Sequence, residues 1–230
     1  MIDLHSHVLP NIDDGPKTSE ESLECIQGLE HLGFTEIVPT PHRYHIFYNP
    51  QEEDVRKSVA ELESPLIKRF SFEYTYNEGI IKKTENLHEL YVFPKNRRVI
   101  LVEFHPFRAG KKDIEKAVFS LNAMNVHPLL AHIERYGHSD EFWGNLRQKY
   151  KVFLQIGLKS FSSSIFNSSR RQMMRLLEKG IVDNAATDIH NIKQLSNVEK
   201  ALKTISEKFP DRKSRLFSFS CFENTDPDYQ

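Results

Sequence analysis

Short apolar segments alternate with amphipathic ones along most of the chain, and this alternation most constrains the fold. Seven segments have the length and composition of buried strands, namely residues 1–5, 35–40, 71–78, 97–104, 127–132, 151–156 and 181–190. Stretches between them carry apolar residues at helical spacing. Strands separated by helices pair in parallel through right-handed crossovers. We therefore expect an α/β protein, a closed TIM-like barrel of seven units, with a flat doubly wound sheet as the alternative.

The overall composition is that of one soluble domain spanning residues 1–230. No linker, repeat or low-complexity tract divides the chain, and 39% of its residues are hydrophobic. Its 31 basic and 32 acidic residues give a net charge of -1, so neither nucleic acid nor an anionic membrane is expected as the main partner. The start MIDLHSH lacks the features of a secretory signal. With Cys25 and Cys221 as the only cysteines, a cytoplasmic location is predicted.

Residues at the carboxyl ends of the predicted strands share one chemical character, since they carry imidazole or carboxylate groups. They are His5, His7, His42, Glu78, Glu103, His132, Asp188 and His190, and Asp14 follows the first strand in the sequence IDDG. In a parallel barrel these ends form one rim, where catalytic residues gather. The strand pleat puts His5 and His7 on the same side, within reach of one ion. Only the sixth strand, which contains Gln155, lacks such a residue. The sequence predicts a metal centre at this rim.

The types and number of these residues indicate which ions would bind. Imidazole and carboxylate without thiolate suit manganese, and also iron or zinc. A structural zinc site would normally contain cysteines. Nine ligands exceed the needs of one ion, so we expect two or three ions sharing carboxylates. Metal ions about 3.5–4 Å apart commonly catalyse the cleavage of phosphate esters.

A phosphate substrate also requires fixed positive charge near the metal centre. Arg135, in the sequence HIERY just after His132, is placed to bind phosphate through two hydrogen bonds. The alternative for Arg135 is a surface ion pair with Glu134 or another neighbour. Arg43, which follows His42, is a weaker candidate for the same role.

Several motifs occur in an order that resembles a known superfamily. They are HSHVLPNIDDG, TPH, a glutamate closing the third strand, VEF, HPLLAHIERY and TDIHN. Together they are similar to the polymerase and histidinol phosphatase (PHP) superfamily. The sequences IDDGPK and HIERY and the chain length resemble the CpsB-like manganese-dependent protein tyrosine phosphatases of bacterial capsule and exopolysaccharide operons.

The resemblance implies a distorted (β/α)7 barrel with three metal ions. One ion would be held by His5, His7, Glu78 and Asp188; a second by Glu78, Glu103 and His132; and a third by Asp14, His42 and His190. Arg135 would contact phosphate. The chain departs from the family just after TDIH, where the next few residues, NIKQL, offer only Lys193 as a positive charge.

The predicted function is hydrolysis of phosphotyrosine on a protein, with a tyrosine autokinase of capsule or exopolysaccharide synthesis as the expected partner. Asp14, His42 or His190 could protonate the leaving group, and the sequence does not choose among them. Two alternatives remain open. One is a phosphatase of histidinol phosphate or a sugar phosphate, whose relatives tend to be longer. The other is a catalytically silent regulatory module, although every expected ligand is present.

Overall fold

A parallel sheet forms the centre of the protein in the computed structural model, which describes residues 1–77, 80, 98–105, 109–161 and 167–222. Its strands in chain order are β1 (Ile2–Ser6), β2 (Glu36–Pro39), β3 (His42–Arg43), β4 (Glu73–Thr75), β5 (Val99–Glu103), β6 (His127–Leu130), β7 (Phe153–Gly157) and β8 (Asn184–Ala186). Every observed pairing is parallel, between neighbours in chain order. The parallel α/β architecture predicted from the sequence is confirmed.

The sheet curls so that its last strand lies beside its first. The backbone N–H of Asp188 donates to the carbonyl of His5, and that of His7 donates to the carbonyl of Ile189, each at 2.9 Å. A flat doubly wound sheet would keep its first and last strands apart. β2 and β3 are separated only by Thr40 and Pro41, so they correspond to the single predicted strand 35–40 and its continuation.

Helices connect the strands and cover the outside of the sheet. Those described are α1 (Ser19–His31), α2 (Glu52–Leu62), α3 (Lys111–Ala123), α4 (Asp140–Lys149), α5 (Ser168–Glu178), α6 (Leu195–Lys208) and α7 (Pro210–Leu216). At the start of α1, the Thr18 hydroxyl accepts from the Glu21 N–H at 3.3 Å, as its capping sequence predicts. Among the described helices, none is both long and apolar enough to cross a bilayer.

Alternation along the strands separates two apolar layers. In β5, Val99 and Leu101 belong to a small cluster inside the curled sheet, whereas Ile100 and Val102 belong to the larger core beneath the helices. The C-terminal segment closes the amino end of the interior. Its Phe222 is buried in the inner cluster with Cys221, so the tail packs against the sheet as far as residue 222, and the residues beyond lie outside the described part.

Candidate metal centre

Eight of the nine predicted ligands meet at the carboxyl end of the curled sheet. They are His5, His7, Asp14, His42, Glu103, His132, Asp188 and His190, and they surround Glu73. We call these nine residues, Glu73 included, the ionisable cluster. The ninth predicted ligand, Glu78, lies outside the described residues. Most of the cluster is buried, although the Asp14 side chain is 42% exposed and marks the side open to solvent.

His5 and His7 face each other across the end of β1, with 3.2 Å between their Nε2 atoms. Each ring is oriented by a hydrogen bond at its other nitrogen. His5 Nδ1 donates to Gln155 Oε1 at 2.7 Å, and His7 Nδ1 donates to Asp13 Oδ2 at 2.6 Å. Both Nε2 atoms therefore point into the cluster, where each would offer its lone pair to a metal ion, which is the usual arrangement of metal-binding histidines.

Gln155 and Asp13, which orient His5 and His7, are two residues of the site that the sequence prediction missed. Gln155 belongs to the one strand without a ligand-type residue, and its amide N–H also donates to Asn184 Oδ1 at 2.7 Å. Its oxygen therefore orients His5, and its amide N–H is held by Asn184. Asp13 is buried beside the exposed Asp14, so the two acids of the IDDG motif have different roles. Gly15 makes this turn possible, because a Cβ there would lie 2.3 Å from the His7 carbonyl oxygen.

Glu73 occupies the centre of the cluster and was also missed. Its Oε1 lies 3.0 Å from His132 Nε2 and its Oε2 lies 3.0 Å from His42 Nδ1. It pairs in register with Leu101 of the inner layer, so its side chain faces the interior. The sequence contained a signal for this orientation. Phe72, Tyr74 and Tyr76 alternate, which places Glu73 on the opposite, inward face.

The solvent side of the cluster combines His42, Asp14 and His190. Asp14 Oδ1 lies 3.5 Å from His42 Nε2 and 3.3 Å from His190 Nε2. His42 also approaches Glu103, with 3.3 Å between Nδ1 and Oε1, while Thr75 donates to that same oxygen at 2.6 Å. His42 therefore links the exposed acid to the buried ones.

Two cluster residues lie just past their strands in a left-handed backbone conformation. His132 has φ 36° and Asp188 has φ 52°, an unfavourable region for residues with a side chain. The predicted strand 181–190 consequently ends at Ala186. No strand pleat therefore places Asp188 and His190 on one side, and it is the turn that brings Asp188 Oδ1 within 3.7 Å of His190 Nδ1.

Two positively charged side chains form ion pairs with the carboxylate of Asp188. Arg135 Nη1 lies 3.5 Å from Oδ2, and Lys159 Nζ lies 2.9 Å from Oδ1. Arg135 thus lies at the cluster in an ion pair with Asp188, and its contact with phosphate stays a prediction. Lys159, immediately after β7, was missed, although it too follows a strand end. Arg43 points to the other side of the sheet, where its guanidinium lies 4.5 Å from the Phe72 ring centre.

The electrostatics of the cluster favour a bound cation. Burial lowers the pKa of His7, but the carboxylates of Asp13 and Glu73 together outweigh burial and raise that pKa to about 9. Burial raises the pKa of Asp13, but His7, His42 and the Gly15 N–H together lower it to about 2. The pKa of Asp14 lies well below its usual range, because hydrogen bonds from His190 and His42 outweigh its burial. The lowered pKa values of Asp13 and Asp14 leave both acids charged at neutral pH, and the raised pKa values of His7 and His42 leave both of those rings protonated. Metal binding would release those protons.

The donor set fits two or three metal ions. Three groups have ligand atoms within 4.8 Å of one another: His7, Asp14, His42 and His190; His5, His7 and Glu73; and His42, Glu73 and Glu103. Among the described residues, Glu73 Oε2, Asp188 Oδ2 and His42 Nδ1 are buried without a hydrogen bond of normal geometry. Buried polar atoms rarely lack a hydrogen-bond partner, and coordination to a metal ion would give these three atoms a partner.

Comparisons with known proteins agree with this arrangement. The family model described as "Capsular polysaccharide synthesis, CpsB/CapC" matches residues 1–221. "Tyrosine-protein phosphatase CpsB" of Streptococcus agalactiae serotype III (strain NEM316) is 29% identical, over 94% of this chain and 95% of that protein. "Tyrosine-protein phosphatase YwqE" of Bacillus subtilis (strain 168) is 25% identical, over 91% and 85%.

A solved structure shares the fold over nearly the whole chain. It is described as "Crystal structures of YwqE from Bacillus subtilis and CpsB from Streptococcus pneumoniae, unique metal-dependent tyrosine phosphatases". The superposition has a TM-score of 0.79 with 23% identity, and it covers 94% of each chain. The curled parallel sheet with its surrounding helices is therefore the architecture of that structure.

Proposed function

The chain belongs to the CpsB/CapC family of capsular polysaccharide synthesis, and we propose that it is a metal-dependent phosphatase that hydrolyses phosphotyrosine in a protein. One observation carries the proposal: Glu73 lies in the middle of a buried set of imidazoles and carboxylates, with two cations at the edge of that set. The imidazoles and carboxylates are the groups that bind metal ions, and the positively charged side chains beside them are the groups that bind a phosphate. The names of the relatives support phosphotyrosine as the substrate.

Glu73 is proposed as the carboxylate that bridges two ions, the role that the sequence comparison assigned to Glu78. Its two oxygens face different histidines, His5 and His132 near Oε1 and His7 and His42 near Oε2. Asp188 would complete the site of His5 and His7. Manganese is the proposed ion, with iron or zinc as alternatives, because the donors are nitrogen and oxygen only.

The side chains around the ions would hold the substrate and supply a proton. Closely spaced metal ions lower the pKa of bound water and neutralise charge on phosphate. Arg135 and Lys159 would bind the phosphate oxygens, since both already bind the oxygens of Asp188. Asp14 Oδ1 lies between His42 Nε2 and His190 Nε2. When only the two ions around Glu73 are bound, this trio keeps a proton that it can donate to the leaving phenolate. With a pKa of about 10, phenolate requires little assistance.

The proposed partner is a tyrosine kinase that controls capsule or exopolysaccharide export, and the proposed location is the cytoplasm. Membership of the CpsB/CapC family supports the pathway. Two free, buried thiols, Cys25 and Cys221, are compatible with a reducing compartment.

The test is to remove metal with a chelator and then titrate Mn²⁺, Fe²⁺ and Zn²⁺ separately. Each form is assayed with a phosphotyrosyl peptide, a phosphoseryl peptide of the same sequence and histidinol phosphate. We expect Mn²⁺ to restore turnover of the phosphotyrosyl peptide selectively. Turnover of histidinol phosphate alone would refute the proposed substrate. Absence of turnover with two or three ions bound would refute the proposed activity.

A further inference from the structure

The loop after β3 carries the most exposed large apolar side chains of the described chain. Ile46 is 83% exposed and Phe47 is 79% exposed, compared with 59% for Phe119 on α3. Exposing two adjacent large apolar side chains is unfavourable in water. Such pairs mark interaction sites when they adjoin a functional site. We call residues 44–49 the aromatic loop.

The aromatic loop has a defined conformation that holds this pair outward. Tyr44 begins it with φ 59°, and its ring packs 5.8 Å from that of Tyr74 in the core. The Asn49 side chain accepts from the Tyr44 N–H at 3.2 Å and so closes the loop. Asn77 donates to the Tyr44 carbonyl at 3.2 Å. Because both ends are held, the exposure of the tip follows from the geometry of the loop.

The loop is continuous with the ionisable cluster through stacked rings. The His45 ring lies 5.0 Å from that of His42 with 25° between their planes, and the Tyr48 ring lies 5.4 Å from that of His45 with 15° between them. The Phe47 ring follows at 5.7 Å from His45. These spacings are those of favourable aromatic pairs. Aromatic faces therefore extend from a proposed metal ligand to the exposed tip.

We propose that the aromatic loop is the recognition surface for the peptide that carries the phosphotyrosine. This inference rests on the proposed function. A phosphate bound at the cluster places its ester-linked phenyl ring beside the rings of His45 and Tyr48, where it can stack. The tip formed by Ile46 and Phe47 then contacts an apolar side chain next to the phosphotyrosine. Phosphoserine offers no ring to stack, and a small phosphate ester does not extend to the tip.

The experiment compares the Mn²⁺-loaded wild type with the double variant Ile46→Ala/Phe47→Ala. Both are assayed with three substrates: a phosphotyrosyl peptide with leucine on each side, the same peptide with glycine on each side, and p-nitrophenyl phosphate. We expect the ratio of kcat/KM for the leucine peptide to that for p-nitrophenyl phosphate to fall about tenfold, or ~1.4 kcal/mol. The ratio should fall because KM for the peptide rises while kcat is unchanged. The decrease in the corresponding ratio should be smaller for the glycine peptide. Phe119→Ala is the control that keeps the ratio unchanged.

Three results would overturn the inference, and metal content and circular dichroism establish that each variant is folded. If the wild type hydrolyses phosphotyrosyl peptide and the double variant keeps the wild-type ratio, the loop does not recognise the peptide and the proposed function stands. If the wild type is a dimer in light scattering and the variant a monomer, the tip joins two copies of the chain. If the metal-loaded wild type hydrolyses none of the phosphotyrosyl peptides, the proposed function fails and the inference fails with it.

Discussion

The two ends of the curled sheet are built from the same strands but have opposite chemistry. At the amino end, Phe222 and Cys221 of the C-terminal segment pack on Phe153, and the interior is apolar and closed. At the carboxyl end, the strands end in histidines and carboxylates in contact with one another. At both ends, every second side chain of a strand faces the interior of the curled sheet. The apolar amino end thus stabilises the fold. The carboxyl end concentrates charge, which lowers the stability of the fold.

The difference also appears in the backbone and in the hydrogen bonding. His132 and Asp188 adopt left-handed conformations at the carboxyl end, and one buried oxygen each of Glu73 and Asp188, Oε2 and Oδ2, has no hydrogen bond of normal geometry. Such strain and unsatisfied polarity persist where function requires them. We therefore expect substitutions at the two ends to separate activity from stability.

The largest effect is expected for Glu73→Gln at the centre of the cluster. The amide keeps the shape but removes the charge shared by four histidines, so kcat should fall by about 1000-fold, or ~4 kcal/mol. Metal content would be measured alongside turnover of the phosphotyrosyl peptide, and circular dichroism would check the fold. Glu53→Gln, on the exposed surface of α2, is the control. A folded Glu73→Gln enzyme with wild-type turnover would contradict the proposed bridging role.

The second prediction concerns the amino end. Phe222 is 1% exposed, so Phe222→Ala should lower the free energy of unfolding by about 3 kcal/mol through cavity formation. Urea denaturation would measure the change, and turnover per folded molecule should stay at the wild-type value. Phe119→Ala, at an exposed position, should cost less than ~0.5 kcal/mol. Loss of turnover in folded Phe222→Ala would show that the two ends are coupled.

A smaller effect is expected for Gln155→Leu, which removes the acceptor for His5 Nδ1. Loss of such an orienting hydrogen bond typically weakens metal binding by about 10–100-fold. Calorimetric titration with Mn²⁺ would measure the affinity. Gln155→Glu keeps an acceptor and should bind Mn²⁺ more tightly than the leucine variant. Equal affinities of the two variants would show that this hydrogen bond does not orient His5.

The smallest effect is expected at the cations that bind Asp188. Arg135→Ala and Lys159→Ala should each raise the KM for phosphotyrosyl peptide about tenfold, or ~1.4 kcal/mol, with metal content unchanged. Lys193→Ala, at an exposed position, should keep the wild-type KM. Loss of metal from either of the first two variants would assign that residue to holding Asp188 and not to binding phosphate.

Local patterns in the sequence were sufficient for the architecture and for most of the cluster. Helical and strand periodicities depend on near neighbours, so they predicted the parallel α/β fold and the capped start of α1. The position of a residue at a strand end is also local, and it selected seven residues that the structure brings together, while the IDDG sequence added Asp14. Sequence order likewise placed Arg135 beside His132.

Long-range packing determined how the cluster is assembled. His5 is oriented by Gln155, 150 positions away, and Lys159 reaches Asp188 only because β7 and β8 are neighbours. Glu73 is central because its strand pairs with the inner layer of β5. The division of labour between Asp13 and Asp14 depends on which of them is buried. The sequence therefore determined which chemical groups reach one end of the sheet. The partners and orientation of each group depend on contacts between distant segments, which periodicity along the chain does not encode.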